Sequence, residues 1–329
     1  MKAVVHDVYG APTEVLRLDD IDVPQPGPDE VLIKLHAASI NPADWHMVRG
    51  EPLVARASIG LRKPKKIVPG ADFAGTVEAV GTEATEQSGV AVGDGVYGEM
   101  LQQRLGTFAQ YVVVPAAMAG PVPQNLTMEQ AAAVPLAGIT ALQAMRDRGE
   151  VEAGSRVLIV GASGGVGHLA VQIGVAMGAE VTGVCSTGNL EFVESLGAVR
   201  VIDYTCESYV DNGEYDLVLQ LSGPIPASAF RPVMTRNGTL LILTGDSASR
   251  FWGPIGRVVK AMVQSPFVSQ TFSMLNAKPN AADLATLTEM IEAGQLRPEI
   301  ARTCDLAGVP VEIARVEQAH TRGKVVVSL

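Results

Sequence analysis

The sequence is poor in cysteine, in aromatic residues and in runs of like charge, and each shortage removes a class of protein. Three cysteines, Cys185, Cys206 and Cys304, stand in 329 residues. An odd number at wide spacing makes no disulfide framework, and no pair has the C-x-x-C spacing of a zinc knuckle. Aromatic residues are 5% of the chain, so its 47% hydrophobic content rests on Val, Ala, Leu and Ile, which suit sheets covered by helices. Charged residues make up only 18%, which rules out wholesale disorder in so apolar a chain. The net charge is −10, and the densest basic stretch is Arg62-Lys63-Pro64-Lys65-Lys66. That is too short to track a nucleic-acid backbone or to hold an anionic membrane surface, and it reads as a solvated loop. The first residues, Met1-Lys2-Ala3-Val4-Val5-His6-Asp7, lack the apolar core and cleavage site of a signal peptide, so the cytoplasm is the expected location.

One stretch imitates a membrane span. Residues 157–179 contain no Asp, Glu, Lys or Arg, a length sufficient to cross a bilayer. They also contain six glycines with Ser163, His168 and Gln172, and their period changes part-way. A buried strand followed by a buried helix is the expected structure.

The length predicts two domains. Residues 1–121 read as β-rich, with strands at 31–37, 75–81 and 108–114 and a turn into a short strand at 93–98. Asn41-Pro42-Ala43-Asp44 starts a short helix, with Asn41 as cap and Pro42 in the first helical position. From about residue 122 strands and helices alternate. Strands are expected at 156–160, 180–184, 199–202, 216–220 and 238–243, with helices at 165–177 and 189–196. That rhythm predicts an α/β class with a doubly wound parallel sheet. Residues 246–280 are less regular, 283–293 form an amphipathic helix stopped by Gly294, and 324–329 form a last strand.

The central motif is Gly161-Ala162-Ser163-Gly164-Gly165-Val166-Gly167, between a strand and a helix. It contains the A-x-G-x-x-G form of the dinucleotide fingerprint. Glycines let the backbone turn and approach a pyrophosphate, and the helix N-terminus presents N–H groups and a positive dipole end to it. The same residues match G-x-S-x-G, the nucleophile elbow of α/β-hydrolases, with acids and His320 following in triad order. Gly164 and Gly167 are surplus to an elbow but required by a fingerprint, and no HGGG-type oxyanion segment precedes it. NAD enzymes usually close the second strand with an acid for the ribose 2′-hydroxyl. Here the strand runs into Val184-Cys185-Ser186-Thr187-Gly188-Asn189, with hydroxyls and an amide that suit a 2′-phosphate. This points to NADPH over NADH; the alternative is that Ser186 and Asn189 only cap the next helix.

Together these pieces resemble the medium-chain dehydrogenase/reductase superfamily, in its zinc-free quinone oxidoreductase (ζ-crystallin-like) branch. The matching segments are Ile40-Asn41-Pro42-Ala43-Asp44, Pro69-Gly70-Ala71-Asp72-Phe73-Ala74-Gly75, Gly93-Asp94-Gly95-Val96-Tyr97-Gly98, Ala137-Gly138-Ile139-Thr140-Ala141, the glycine loop, Val201-Ile202-Asp203-Tyr204, and His320-Thr321-Arg322-Gly323-Lys324-Val325-Val326. The resemblance covers nearly the whole chain. It implies a β-rich GroES-like catalytic domain from residues 1–121 and 279–329, and a Rossmann cofactor domain from 122–278. Substrate would then bind over the nicotinamide in the cleft between them. Zinc relatives place Cys where Asn41 stands and His-Glu where Ala71-Asp72 stands, and an amide and a methyl group cannot replace a thiolate and an imidazole on zinc. No metal site is therefore expected, and alcohol oxidation gives way to hydride transfer to a quinone or an enone.

The resemblance also implies contacts. Asn41 would face nicotinamide and substrate, with Thr140 near the nicotinamide. Ser163, Gly164, Gly165, Val166 and Gly167 would hold the pyrophosphate, and Ser186, Asn189 and Tyr204 would surround the 2′-phosphate. Ser222, Leu243 and Thr244 would line the sheet edge, and Lys324 would reach the cofactor from the tail. Relatives often carry a basic residue where Gly188 stands. His46 is a candidate proton donor, since its pKa lies near neutrality, while Asp44 is expected to stabilise its helix. The expected function is a zinc-independent, NADPH-dependent oxidoreductase acting on a small-molecule acceptor. An enoyl-thioester or aldehyde reductase is one alternative, and a non-enzymatic NADPH-binding or sensing protein another. Partners among nucleic acids or membranes are not expected; a homodimer is the family-level expectation.

Overall fold

A computed structural model describes residues 1–65, 67–211, 213–243, 269–318 and 321–329. Along the chain the strands are β1 (Lys2–Val5), β2 (Arg17–Asp20), β3 (Glu30–Ile40), β4 (Asp72–Val80), β5 (Gly95–Glu99), β6 (Tyr111–Pro115) and β7 (Gly120–Pro121). Then follow β8 (Arg156–Val160), β9 (Glu180–Cys185), β10 (Arg200–Asp203), β11 (Tyr215–Gln220), β12 (Met234–Ile242) and β13 (Thr271–Ser273). The last two are β14 (Ile300–Cys304) and β15 (Lys324–Ser328). The described residues form two compact units: residues 1–139, 278–294 and 298–329, and residues 140–277 and 295–297.

The first unit is built on β3. Its N-terminal half pairs with β6, its C-terminal half with β15, and β4 runs antiparallel along its whole length. The sheet continues through β5 to β7 on one side and through β15 to β14 on the other. A strand so enclosed is largely apolar on both faces, and six of the eight residues in 31–38 are buried. Ile40, Val48, Val309, Ile313, Val325 and Val327 share one apolar cluster, which seats helices Pro42–Arg49 and Val309–Glu317 against β3 and β15. Helix Met128–Ala132 contacts β3 and β4, so the unit extends beyond the expected boundary at 121.

The second unit is a six-stranded sheet, every pair parallel, in the order β10-β9-β8-β11-β12-β13. Counted from β8 as the first strand, that is the 3-2-1-4-5-6 order of the doubly wound dinucleotide fold. The uncharged stretch 157–179 is β8, the glycine loop and helix Gly167–Ala176, whose residues 167–174 are all buried. Among the described residues no helix is long and apolar enough to cross a membrane.

Most expected elements stand within a few residues. The exception that matters is the expected strand 75–81, which starts at Asp72 and so brings that carboxylate into the sheet. The short β1, β2 and β14 carry too little periodicity for the sequence to announce them; helix Val309–Glu317, whose Val309, Ile313 and Val316 recur at helical spacing, is a further element beyond those expected. Of the candidate site residues named above, Thr244 and His320 lie outside the described residues.

Candidate functional site

The carboxyl ends of the parallel strands gather the expected cofactor residues of the second unit. Tyr204 follows β10, Ser186 follows β9, Gly161 follows β8, Ser222 comes two residues after β11, and Leu243 follows β12. Ligands of such sheets bind at this edge, where the strand order reverses. That reversal lies between β8 and β11, and there Gly161 and Ser222 touch: a Cβ on Gly161 would lie 3.1 Å from the Ser222 Cβ.

Two glycines explain the loop. Gly161 has φ +90°, a backbone region that side chains with a Cβ rarely adopt. A Cβ on Gly167 would fall 2.1 Å from the Gly161 carbonyl oxygen, so this helix start can press against the end of β8 only without one. Gly164 N–H donates to the Gly161 carbonyl at 3.0 Å and His168 N–H to the Gly164 carbonyl at 3.0 Å, closing the loop onto the helix. Ser163, Gly164, Gly165 and Val166 are half-buried, while Gly167 and His168 are buried. The ten-residue helix Gly167–Ala176 starts at this loop, so the positive end of its dipole lies at the strand end, where an anion is favoured. The residues present fit a pyrophosphate.

Beside the loop, Asn189 Nδ2 donates to Ser186 Oγ at 3.1 Å, and Tyr204 is 53% exposed. Asp203, at the end of β10, accepts from Thr187 Oγ1 at 2.6 Å and from the Thr205 hydroxyl and N–H at 2.7 and 2.9 Å. The Thr187 and Thr205 bonds hold its carboxyl below the usual range. A Cβ on Gly188 would meet nothing within 4 Å. Thr140 is half-buried on helix Pro135–Gln143.

The first unit contributes a buried polar cluster that the sequence did not reveal. The register pairs Ser39 with Asp72 and Asp72 with Glu99, and sets Val325 against Ile40, so Lys324 stands beside Asn41. Asp72 is wholly buried; its Oδ2 accepts from Ser39 Oγ at 2.6 Å and from Asn41 Nδ2 at 2.8 Å, and its Oδ1 from Leu136 N–H at 2.8 Å. Lys324 Nζ donates to Asn41 Oδ1 and lies 3.2 Å from Asp72 Oδ2. Asn41 and Lys324 are 4% and 3% exposed, so this is a buried network in which each polar end has a partner.

Asp44 does what its position suggests. Its Oδ2 accepts the Asn41 N–H at 2.7 Å, the returning arm of a capping box. Its Oδ1 has no hydrogen-bond partner, and burial, reinforced by the Asp72 charge, pushes its carboxyl up to about 7. Glu99 rises to about 7 for the same two reasons, opposed by the Leu101 N–H it accepts at 2.6 Å. His46 stacks on Trp45 with ring centroids 3.5 Å apart, and its Nδ1 lies 3.0 Å from the Glu51 carbonyl.

Residues 27–124 match the alcohol dehydrogenase GroES-like domain, and residues 196–327 match a family described as zinc-binding dehydrogenase. The mouse protein named NAD(P)H oxidoreductase RTN4IP1, mitochondrial, is 32% identical over 363 residues, spanning 100% of this chain and 89% of its own. The chain belongs to the medium-chain dehydrogenase/reductase superfamily, in its quinone oxidoreductase branch. The tomato protein named 2-methylene-furan-3-one reductase is 34% identical over 271 residues, 73% of this chain and 67% of its own. The solved quinone oxidoreductase from Coxiella burnetii superposes with a TM-score of 0.86 at 29% identity, over 100% of this chain and 99% of that one. The chain is thus an NAD(P)H-dependent oxidoreductase, and the hydrolase alternative falls.

Zinc, named in one matched family, is poorly served by these strand ends. The ends of β3 and β4 offer a hydroxyl, an amide and the Asp72 carboxylate, which already has an ammonium against it, where zinc takes thiolate, imidazole and carboxylate. Among the described residues no group of three or more His, Cys, Asp or Glu is arranged to hold a metal ion.

Two predictions follow from this geometry. Gly167→Ala should weaken NAD(P)H binding about 10-fold or more, since the loop must move off the strand end; unchanged affinity in a fluorescence titration would refute the cradle. Asp44 and Glu99 hold protons in the folded chain at pH values where the unfolded chain has released them. Stability therefore falls as pH rises from about 4 to about 7, and Asp44→Asn, which keeps an acceptor for the Asn41 N–H, should flatten part of that slope in urea unfolding.

Proposed function

We propose that this protein is a zinc-independent, NADPH-dependent reductase that passes hydride to a quinone or an enone. The observation that carries the proposal is the bonding at the ends of β3, β4 and β15. Asn41, Asp72 and Lys324 are tied to one another, so the position where zinc relatives carry a thiolate holds an amide already bonded to a carboxylate and an ammonium. Such groups orient an acceptor by hydrogen bonds but polarise it less than a divalent metal does. A quinone or an enone is electrophilic already and needs less assistance. The tomato relative, named for an enone substrate, supports the same acceptor class.

Bound NADPH supplies the hydride. The glycine loop and the start of helix Gly167–Ala176 hold its pyrophosphate through Ser163, Gly164, Gly165, Val166 and Gly167. Ser186, Asn189 and Tyr204 are assigned to the 2′-phosphate, Thr140, Ser222 and Leu243 to the nicotinamide half, and Asn41 to nicotinamide and acceptor. NADPH over NADH is supported by the end of β9, where Ser186, Thr187 and Asn189 stand without an acid. Asp203 spends its acceptor capacity on Thr187 and Thr205. Alignment of donor and acceptor carries most of the rate, and the proton comes from water or from His46.

The test follows NADPH absorbance with a simple benzoquinone, an enone, an enoyl thioester and an aldehyde, with and without a chelator. Turnover of the first two, indifferent to the chelator, is expected. NADPH binding without turnover of any acceptor would leave a binding or sensing protein, and a requirement for added zinc would refute metal independence. Asn41→Ala should depress turnover with the fold intact. Gly188→Arg, entering open space, should shift preference towards NADPH by about 10-fold, the scale of one added charge-assisted hydrogen bond.

A further inference from the structure

Lys324 is a lysine almost without water. Only 3% of it is exposed, and its ammonium lies against Asn41 Oδ1 and 3.2 Å from Asp72 Oδ2. Asn41 is thereby held at both ends, with its oxygen on a cation and its nitrogen on an anion, the latter at 2.8 Å. Rotating the amide by half a turn would set its NH2 group against the ammonium and its oxygen against the carboxylate. Both contacts would then repel, so the charges of Lys324 and Asp72 allow one orientation. Asp72 is in turn fixed by Ser39 Oγ and Leu136 N–H, which leaves the ammonium as the element that sets the amide oxygen.

We propose that Lys324 is a positioning residue: it acts on the reaction by locking the Asn41 amide, as a fixed monovalent cation at the strand ends, and is not a ligand of the cofactor phosphates. The proposal rests on the assignment of Asn41 made above. Its geometry comes from the chain alone. Lys324 opens β15 and Asn41 directly follows β3, so the antiparallel register that sets Val325 against Ile40 brings the two side chains together. The ammonium already serves two acceptors inside the first unit, which gives it a task independent of any phosphate.

Lys324→Met leaves Asp72 buried without its cation and can fail to fold for that reason alone. The decisive variant is therefore Lys324→Met with Asp72→Asn, in which the cluster is neutral and both partners are gone. Two readouts apply: kcat and NADPH Kd with benzoquinone, and hydrogen exchange of the Asn41 side-chain amide by NMR in the cofactor-free protein. The expected result is a kcat lower by about 10- to 100-fold, with NADPH Kd within about 3-fold and Asn41 amide exchange faster by about 10-fold or more. In the Asn41→Ala background the same pair of changes should lower kcat little further, because the group they position is gone. A double variant with wild-type kcat and unchanged exchange would overturn the proposal, since neutralising the pair would then suffice. A weakened NADPH Kd with kcat preserved would overturn it too, and would make Lys324 a cofactor ligand. If the unaltered protein reduces no quinone or enone, the reductase assignment fails separately, and the exchange measurement still decides whether Lys324 locks Asn41.

Discussion

The ion pair between Lys324 and Asp72 is the constraint around which the first unit is arranged. Charges buried this deeply persist only when paired and hydrogen-bonded, because desolvation of each costs several kcal/mol. Here the cation comes from the last strand and the anion from the fourth, 252 residues apart. The tail therefore has to return to the centre of the sheet, and β15 does so by pairing with the C-terminal half of β3. Removing one partner of such a pair typically costs about 3–5 kcal/mol. Burial of Val325, Val326 and Val327 beside Lys324 supplies the apolar surface that carries the strand inward against that penalty.

The second unit meets a related demand by the opposite means. Among its described residues it offers an anionic ligand no buried lysine. It offers backbone N–H groups at a helix start, brought to the strand end by removing side chains. Gly167 is the point of closest approach, 2.1 Å for a Cβ that is not there, and Gly161 takes the turn that a larger residue would strain. The helix that follows is buried along its first eight residues and can be placed without charge on any side. One unit thus fixes side chains with charge and the other fixes backbone with packing.

What the sequence disclosed, and what it did not, follows from the same division. The glycine loop was legible because its constraint is local: spacing between a strand and a helix names the chemistry without tertiary information. The alternation of strands and helices in 156–243 was legible for the same reason, since short apolar runs bounded by glycines and polar turns are local signals. Asn41 and Asp44 could be placed because a cap and a proline announce a helix start. The Asn41–Asp72–Lys324 contact could not be read, because it depends on three strands with 31 and 252 residues between partners. Starting the strand at 75 hid Asp72, whose polar side chain breaks the apolar pattern at the point where the sheet becomes a site. Glu99 was hidden in the same way, at the last residue of β5. A polar residue ending an otherwise buried strand was the available signal.

The charge count within that cluster constrains the proposed chemistry further. Asp44, Asp72 and Glu99 are buried with one lysine among them, and burial holds the carboxyls of Asp44 and Glu99 up at about 7. Near neutrality the cluster therefore carries protons as well as charge, and a carboxyl that holds its proton does not compete with Asp72 for the ammonium. Protonation of Asp44 also leaves the Asn41 N–H an acceptor, so the helix start survives while the like charges are reduced. A divalent metal in such a place would favour the ionised acids and reverse that balance. The ammonium, bearing half the charge, tolerates protonated neighbours and keeps a single amide oriented, which is as much as transfer of hydride to an already electron-poor acceptor asks of this unit.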